Sequence, residues 1–214
     1  MQIVQRGFGA ALIIVSAMAC SSSKDSAKGP VTYVAQLQGL NATTTGMQTT
    51  GEARLVVTGD SLTITMDVKG VPPNMIHLQH FHGFADNHDA GCPLATADTN
   101  HDDVIDIRET EPTAGTTMVP FTTDPVSMQI VTDAYPTAGA DSSYHYTKTV
   151  SLSALDSAFM KTFSDSSLDL GSRVVMVHGV PASTKLKASV ASLGTIPAQV
   201  TIPIACGKLV KVQN

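Results

Sequence analysis

Apolar and polar side chains alternate most regularly in Leu62–Lys69, where every second residue is apolar. Successive side chains of a β-strand point to opposite faces, so this segment predicts a strand with one face on a core and the other in water. The residues Gly59–Ser61 predict a tight turn from a preceding strand at Arg54–Thr58. The two strands form a predicted β-hairpin.

Similar short segments recur along the chain, separated by turns rich in Gly, Pro, Asn and Asp. One short helix is predicted after Ser153, where Leu155, Phe159 and Phe163 repeat every four residues. The pattern predicts an all-β sandwich or barrel with long loops. Besides the hairpin and the histidine-rich stretch that begins at His77, strands are predicted at Val31–Leu37, Met128–Thr132, Tyr144–Leu152, Arg173–His178 and Gln199–Ile204.

Composition is consistent with a single domain. The chain has 214 residues, a formal net charge of -5 and 43% hydrophobic residues. This length is sufficient for one domain with an ordinary core, and no repeat or internal boundary divides it. The mild acidity gives no reason to expect nucleic acid as a partner. One β-rich domain is therefore predicted over residues 31–214.

The first nineteen residues have the pattern of an export signal. Arg6 precedes an apolar run over residues 7–15, and small residues at 16–19 follow it. A basic start, a short apolar stretch and a small-residue cleavage site are typical of a secretory signal peptide. Cys20 resembles the lipidated cysteine of bacterial lipoproteins, with residues 20–30 as a tether to the membrane of the cell envelope, facing the periplasm or the exterior. The alternative is ordinary cleavage and a plain secreted protein.

Cys92 and Cys206 remain as an even pair once Cys20 is assigned to lipid. A disulfide forms and persists in the oxidising compartments outside the cytoplasm. A disulfide between these two residues is therefore predicted, and two buried free thiols are the alternative.

The histidine-rich stretch carries the candidate chemistry. On a strand, His80 and His82 project from one face and His77 from the other. Imidazole is a ligand for copper and zinc. His80 and His82 are thus half of a predicted metal site, and a solvated surface pair is the alternative.

The same stretch resembles a segment of the copper/zinc superoxide dismutases. His77-Leu78-Gln79-His80-Phe81-His82-Gly83-Phe84-Ala85-Asp86, then Ala90-Gly91-Cys92, is similar to the family's His-x-x-His-x-His-x-Phe-Gly-Asp and Ala-Gly-Cys segments. Residues 171–178 are similar to the strand with the last copper histidine, and residues 205–207 to the segment with the second disulfide cysteine. The resemblance implies a Greek-key, immunoglobulin-like sandwich of about eight strands. It also implies copper on His80, His82 and His178, His77 beneath the site, a Cys92–Cys206 disulfide, and superoxide as substrate.

Two departures from the family change this expectation. Only His101 and His145 lie between Cys92 and His178, where the family has several zinc ligands, so zinc is not expected. Pro203 stands where the family has an arginine that attracts the anion. Because steering of a charged substrate is electrostatic, a copper-only site with weak dismutase activity is predicted. His88 or His101 is the candidate fourth nitrogen.

A weaker resemblance is to the chordin-type repeat domain, which also has His-x-His-Gly after a Pro-Pro turn. That family would retain His80 and His82 without requiring His178 or the cysteine pair. The presence of His178 and both cysteines favours the dismutase resemblance.

Residues 98–109 match the twelve-residue calcium loop of EF-hands. Two features differ from an EF-hand: position six is Asp103 and not Gly, and the flanks do not predict two helices, so a free-standing loop like that of dockerins is the better analogue. The alternatives are a solvated acidic loop or, for the whole protein, a non-catalytic calcium-binding envelope module. The predicted oxygen ligands are Asp98, Asn100, Asp102, the carbonyl of Val104, Asp106 and Glu109.

Overall fold

The computed structural model describes residues 29–164 and 166–213. The predicted signal peptide at 1–19, the predicted lipidation site Cys20 and the predicted tether as far as residue 28 lie outside the described residues. These three assignments stay predictions. In the part of the chain that the structure describes, no helix is long and apolar enough to cross a membrane.

The described residues include nine antiparallel strands, which confirm the predicted all-β fold. Four short helices, α1 (Ala42–Thr45), α2 (Ile107–Ala114), α3 (Leu152–Thr162) and α4 (Ala198–Thr201), lie in the connections. The strands are β1 (Val31–Gly39), β2 (Thr50–Thr58), β3 (Ser61–Lys69), β4 (Leu78–Gly83), β5 (Thr116–Pro120), β6 (Ser143–Ser151), β7 (Val174–His178), β8 (Pro203–Lys208) and β9 (Val210–Val212).

The strands form one curled sheet in the order β5-β4-β7-β8-β1-β2-β3-β6, and β9 pairs with β1. The half-sheet β1-β2-β3-β6 contains the predicted hairpin. The half-sheet β5-β4-β7-β8 contains the histidine strand, and the two halves join where the end of β1 pairs with β8. The connections β3–β4 and β6–β7 each cross from one half to the other, as in a Greek key.

The main core lies between the two half-sheets. Its residues are the inward-facing positions of the alternating strands, as the pattern of β3 predicts. Leu62 and Met66 from β3 meet Phe81 from β4 and Val175 and Val177 from β7, and all five are buried. Each strand of the histidine half-sheet therefore has a fixed inner face, which also fixes its outer face.

The outer face of the histidine half-sheet is covered by loops. Val174 and Met176, which point away from the main core, form a second buried cluster with Ala90, Ala114 and Cys206. Cys206 is bonded to Cys92, with a Cα–Cα distance of 5.7 Å, which confirms the predicted disulfide. In the chain-entropy model, a disulfide that closes a loop of this length contributes about 4 to 5 kcal/mol to stability.

Several local predictions were wrong. Met128–Thr132 is not a strand, because Met128 has a left-handed backbone (φ 56) after a short 3-10 turn. Gln199 lies in α4, so the predicted last strand begins only at Pro203. Helix α3 is capped by Ser151 and not Ser153, through a bond from the Ala154 amide. Four helices replace the single one expected, and the short strands β5 and β9 were not predicted.

Candidate metal centre

Three histidines converge on the outer face of the β4–β7 pair. His80, His82 and His178 each offer a ring nitrogen, and these nitrogens all lie within 4.8 Å of one another. The ring centroids are 4.8 Å apart for His80 and His82, 4.6 Å for His80 and His178, and 5.5 Å for His82 and His178. All three residues are buried. The prediction that these three residues come together is confirmed.

Strand parity and register produce this convergence. In the antiparallel pairing of β4 and β7, Leu78 lies opposite His178 and His80 lies opposite Met176. His178 is therefore a diagonal neighbour of His80 on the same face, within reach of a long side chain. The pairing also shifts register between His80 and His82 on the β5 side, and between Val177 and His178 on the β8 side. Such irregularities often redirect side chains at functional sites.

Backbone carbonyls set the orientation of two of the imidazoles. His178 Nδ1 lies 2.7 Å from the carbonyl oxygen of Thr201, and His82 Nδ1 lies 3.2 Å from that of Gly115. A carbonyl oxygen can only accept, so each Nδ1 carries the hydrogen and each Nε2 keeps its lone pair. His178 Nε2 is buried and has no hydrogen-bond partner among the described residues. Both rings thus offer Nε2 to the centre of the group.

Gly115 allows the approach that places its carbonyl beside His82. It has a left-handed backbone (φ 72), and a side chain there would overlap the carbonyl of Gly83. Only glycine meets both requirements without strain. The tight contact between the start of β5 and the end of β4 therefore depends on this residue.

His80 has the opposite arrangement of nitrogens. Its Nε2 lies 3.2 Å from the hydroxyl of Thr117 on β5, while its Nδ1 is buried and has no hydrogen-bond partner in the part of the chain that the structure describes. With Nε2–H donating to Thr117, the lone pair is on Nδ1. The same hydroxyl lies 3.5 Å from His82 Nε2. Thr117 is thus the side-chain group that contacts two members of the triad.

Burial keeps the triad uncharged. Loss of solvent is the main reason that the pKa of His82 falls to about 4 and that of His178 to about 3. The pKa of His80 also lies well below its usual value, because of burial and then the neighbouring His178 and His82. Near neutral pH the site presents three neutral imidazoles. A neutral imidazole is the form that binds a transition metal.

A cavity of about 450 Å³ opens over the triad. Helix α2 forms one wall with Ile107, Arg108 and Glu111. The loop after β7 forms another, through Leu193 and Ile196. The triad is therefore buried from the core side but reachable from this cavity.

His77 lies beneath the site, as the resemblance implies. It is fully buried, its Nε2 lies 2.8 Å from the Pro72 carbonyl oxygen, and its Nδ1 lies 3.1 Å from the His178 carbonyl oxygen. Its ring stacks on Tyr144 with centroids 5.9 Å apart. These contacts tie the strand entering the site to the strand leaving it.

The candidate fourth nitrogens lie elsewhere, so that prediction was wrong. His88 is exposed, stacks on Phe84 and bonds Asp86 through Nδ1 at 2.6 Å. His101 is exposed in the acidic loop. Neither belongs to the converging group or to the walls of the cavity. His145 is exposed on β6 and bonds Asp67, in agreement with its assignment to the polar face of a strand.

The acidic segment 98–109 forms a closed loop with a different chemistry. Asp98 accepts from the amides of Asp102 and Asp103, at 3.0 and 2.9 Å. Glu109 accepts from the amides of Thr99, at 2.9 Å, and Asp106, at 3.1 Å. Within residues 29–164 and 166–213, the three histidines are the only group of three or more His, Cys, Asp or Glu whose ligand atoms converge. The acidic side chains instead accept hydrogen bonds from the loop's own backbone amides.

Two further predicted loop ligands also accept hydrogen bonds. The side-chain oxygens of Asn100 and Asp102 accept from the amides of Asp102 and Val104, at 2.9 and 3.0 Å. Asp103, at position six, has a left-handed backbone (φ 68). Helix α2 begins inside this loop, at Ile107, with Asp106 as its N-cap and Glu109 in a capping box, although the sequence predicted no helix here.

Thr117 and Arg108 were missed because neither carries a sequence signal. Thr117 lies in the short strand β5, whose five residues show little alternation, and Arg108 lies in an acidic loop that predicted no helix. Pro203 stands where the resembling family has an arginine, and it pairs with His178 at the start of β8.

No protein-family model matches this chain, and a search of the curated proteins found no match.

Proposed function

We propose that this protein binds copper through His80 Nδ1, His82 Nε2 and His178 Nε2, in a domain like those of the copper/zinc superoxide dismutases. The observation that carries the proposal is the buried triad itself, in which two nitrogens have no partner within residues 29–164 and 166–213. Unpaired buried polar atoms are rare and call for a ligand, an ion or a water. Imidazole nitrogen is a ligand that copper accepts readily.

The residues fit a metal ion and suit copper. Three neutral nitrogen donors with no carboxylate or thiolate among them favour copper, zinc, iron or nickel over magnesium or calcium. Copper also agrees with the resemblance of residues 77–92 and 171–178 to the dismutases. The triad is observed in the structure, whereas copper as its metal is proposed.

We infer that superoxide is a substrate of this site. When bound, copper supplies one-electron redox chemistry, by which two superoxide anions and two protons give dioxygen and hydrogen peroxide. The three imidazoles hold the metal, and the carbonyls of Gly115 and Thr201 fix two of the rings. The cavity over the triad gives a small anion access.

Copper titration of His80→Ala and His178→Ala tests the proposal. Removing a direct ligand should weaken copper binding by at least about 100-fold, more than the 10–100-fold typical of an outer contact. His145→Ala is the matched control, because His145 is exposed and bonded only to Asp67. Affinity is measured by competition with a chelator, and nitrogen coordination by electron paramagnetic resonance.

Equal copper affinity in the wild type and both ligand variants would contradict the copper site. Superoxide turnover of the copper-loaded protein is measured on the same samples. A copper-loaded protein that consumes superoxide no faster than the His178→Ala variant would contradict the dismutase activity but not the binding site.

A second candidate is calcium binding by residues 98–109 in a structural envelope module. The observation that favours it is the left-handed backbone of Asp103 (φ 68), which reproduces the turn that EF-hand loops make at position six. The helix that follows, with Glu109 in its first turn, also occupies the place of an EF-hand's second helix.

Thermal unfolding with and without millimolar Ca²⁺ tests this candidate. At a calcium concentration 100 times Kd, binding contributes about 2.7 kcal/mol, which raises Tm by about 5 to 10 °C for a domain of this size. Asp98→Asn combined with Glu109→Gln keeps the side-chain shapes and should abolish the increase. A wild-type Tm that does not respond to Ca²⁺ would rule out the calcium loop.

A further inference from the structure

The cavity above the triad is larger than a diatomic anion requires. Its volume is about 450 Å³. A water molecule occupies about 30 Å³ in the liquid, whereas pockets for organic ligands are typically about 300 to 1,000 Å³. The cavity therefore has room for a small organic molecule in contact with the imidazoles.

One wall of the cavity is an apolar hairpin tip. Leu193 and Ile196 form a reciprocal pair of backbone bonds, at 3.2 and 2.9 Å, around a left-handed Gly194. Paired residues of an antiparallel ladder project from the same face, and both line the cavity. Leu193 is nevertheless 47% exposed. This wall has apolar surface that a bound ligand would bury.

A second exposed aliphatic residue lines the same cavity from another loop. Ile130 lies between β5 and β6 and is 38% exposed. Leu78 and Ile107 add apolar surface deeper in the cavity. Removing such surface from water favours binding, so a ligand with a hydrocarbon part matches the walls.

Helix α2 adds a free cation to this apolar cavity. Arg108 is exposed, and in the described part of the chain its guanidinium has no ion pair and no hydrogen bond. A guanidinium presents a planar pair of N–H donors that matches a carboxylate. Glu111, one turn further along α2, also lines the cavity but is not within ion-pair distance of Arg108. The arginine is therefore available to an anionic ligand.

We propose that this cavity binds a small organic carboxylate with an aliphatic chain. The carboxylate pairs with Arg108, and the chain lies against Leu193, Ile196 and Ile130. Bound in this way, the ligand covers the approach to His80, His82 and His178. The inference deepens the proposed copper site, since a bound metal ion adds positive charge to the cavity, but the cavity's apolar walls and Arg108 do not require the metal.

Calorimetric titration with acetate, butyrate and hexanoate tests the inference, using full-length protein with and without copper. Each added methylene should tighten Kd by about fourfold, as expected when a CH₂ group is buried. Hexanamide has the same chain without the charge and should bind about tenfold more weakly than hexanoate.

Variants separate the contribution of the Arg108 charge to ligand binding from that of the apolar wall. Arg108→Gln should weaken hexanoate binding about tenfold, while the matched Glu111→Gln should leave it equal or tighter. Leu193→Ser should reduce the gain per methylene without removing acetate binding. These effects are expected in the copper-free protein as well.

The inference is overturned if hexanoate binds no more tightly than acetate in either form, or if Arg108→Gln and Glu111→Gln weaken binding equally. Failure of the copper site gives a different result. In that case the protein retains no copper, but the chain-length series and the Arg108 effect persist in the copper-free titration.

Discussion

The histidine triad and the acidic loop 98–109 are two clusters of polar side chains that differ in whether their side-chain atoms are already hydrogen-bonded. In the triad His80, His82 and His178, ring nitrogens converge, and two of them are buried with no partner in the described chain. In the loop 98–109, the side-chain oxygens already accept hydrogen bonds from backbone amides. The sequence predicted both as metal sites. Convergent, unpaired donors distinguish a site that calls for a ligand from a loop that supports its own backbone.

The two groups are also connected. The acidic loop leads directly into α2, whose residues Ile107, Arg108 and Glu111 form a wall of the histidine cavity. Its other side binds the segment before the apolar hairpin: Asp102 accepts from Ser189 Oγ at 2.6 Å, and Asp106 accepts from the Ala191 amide at 2.6 Å. The acidic loop therefore supports two walls of the cavity. Each of the following experiments separates a metal-binding role from this supporting role.

Acidification should have the largest effect and should act first through the triad. The folded pKa of His82 is about 4 and that of His178 about 3, below the ordinary value of 6.5. Between these values the unfolded chain takes up protons that the folded protein does not. The contribution of the triad to the free energy of unfolding is therefore fully present above about pH 6.5 and falls as pH decreases. Each histidine lowers the free energy of unfolding by about 1.4 kcal/mol per pH unit, and the three together by about 4 kcal/mol per pH unit.

Asp102 of the acidic loop loses its contribution only at lower pH. Burial raises the pKa of Asp102, but hydrogen bonds from Ser189 and Val104 outweigh this and the pKa is lowered from 3.8. Its stabilising effect is therefore lost only as pH falls below that value. Urea unfolding of metal-free protein from pH 7.5 to 4.5 measures the histidine part. An unfolding free energy that stays constant over this range would show that the triad is not buried in neutral form.

Asp106→Ala should have the next largest effect, on the side of the acidic loop. Asp106 is 2% exposed, caps α2 by accepting from the amides of Arg108 and Glu109, and accepts from the Ala191 amide. Loss of the cap costs about 1 kcal/mol, and an unpaired buried amide costs about 1 to 3 kcal/mol. Because the Ala191 amide is only partly buried, we expect the lower part of this range, a total destabilisation of about 2 to 3 kcal/mol in chelator-treated protein.

The exposed Asp103 provides the matched control for Asp106. Its carboxylate pairs with Lys187 at 3.1 Å on the surface, and Asn tolerates the left-handed backbone at this position, so Asp103→Asn should cost less than about 1 kcal/mol. Chemical denaturation of both variants without calcium measures the difference. If Asp106→Ala were instead more stable than the wild type, the loop would be a cage of repelling carboxylates that needs a cation, and the contrast with the triad would disappear.

The difference between the two groups explains what the sequence could predict. Strand parity places His80 and His82 on one face, and alternation fixes which face of β3 meets the core, because both follow from the period of two. The distance between His178 and this pair depends on the pairing register of β4 and β7, which only the resemblance suggested. Local periodicity is therefore enough to predict which face of a strand each side chain occupies.

Partners that come from loops could not be predicted in this way. The fourth-ligand prediction failed because local spacing does not say that His88 turns outward to stack on Phe84. The calcium pattern specifies which oxygens are present but not whether amides have already engaged them. The strand prediction at Met128–Thr132 failed for a related reason, since the left-handed backbone at Met128 overrides an apolar-rich pattern.

The smallest of these effects tests how the triad is oriented. Thr117 is the partner of His80 Nε2, at 3.2 Å, and holds the ring with its Nδ1 lone pair toward the other imidazoles. Thr117→Val has nearly the same shape but cannot accept this hydrogen bond, so copper affinity should fall about tenfold, the lower end for an outer contact of a metal ligand. Thr117→Ser restores the hydroxyl and should restore the affinity. The copper hyperfine coupling should change in the valine variant and return in the serine variant, whereas a purely packing role would leave valine close to the wild type and make serine the weaker binder.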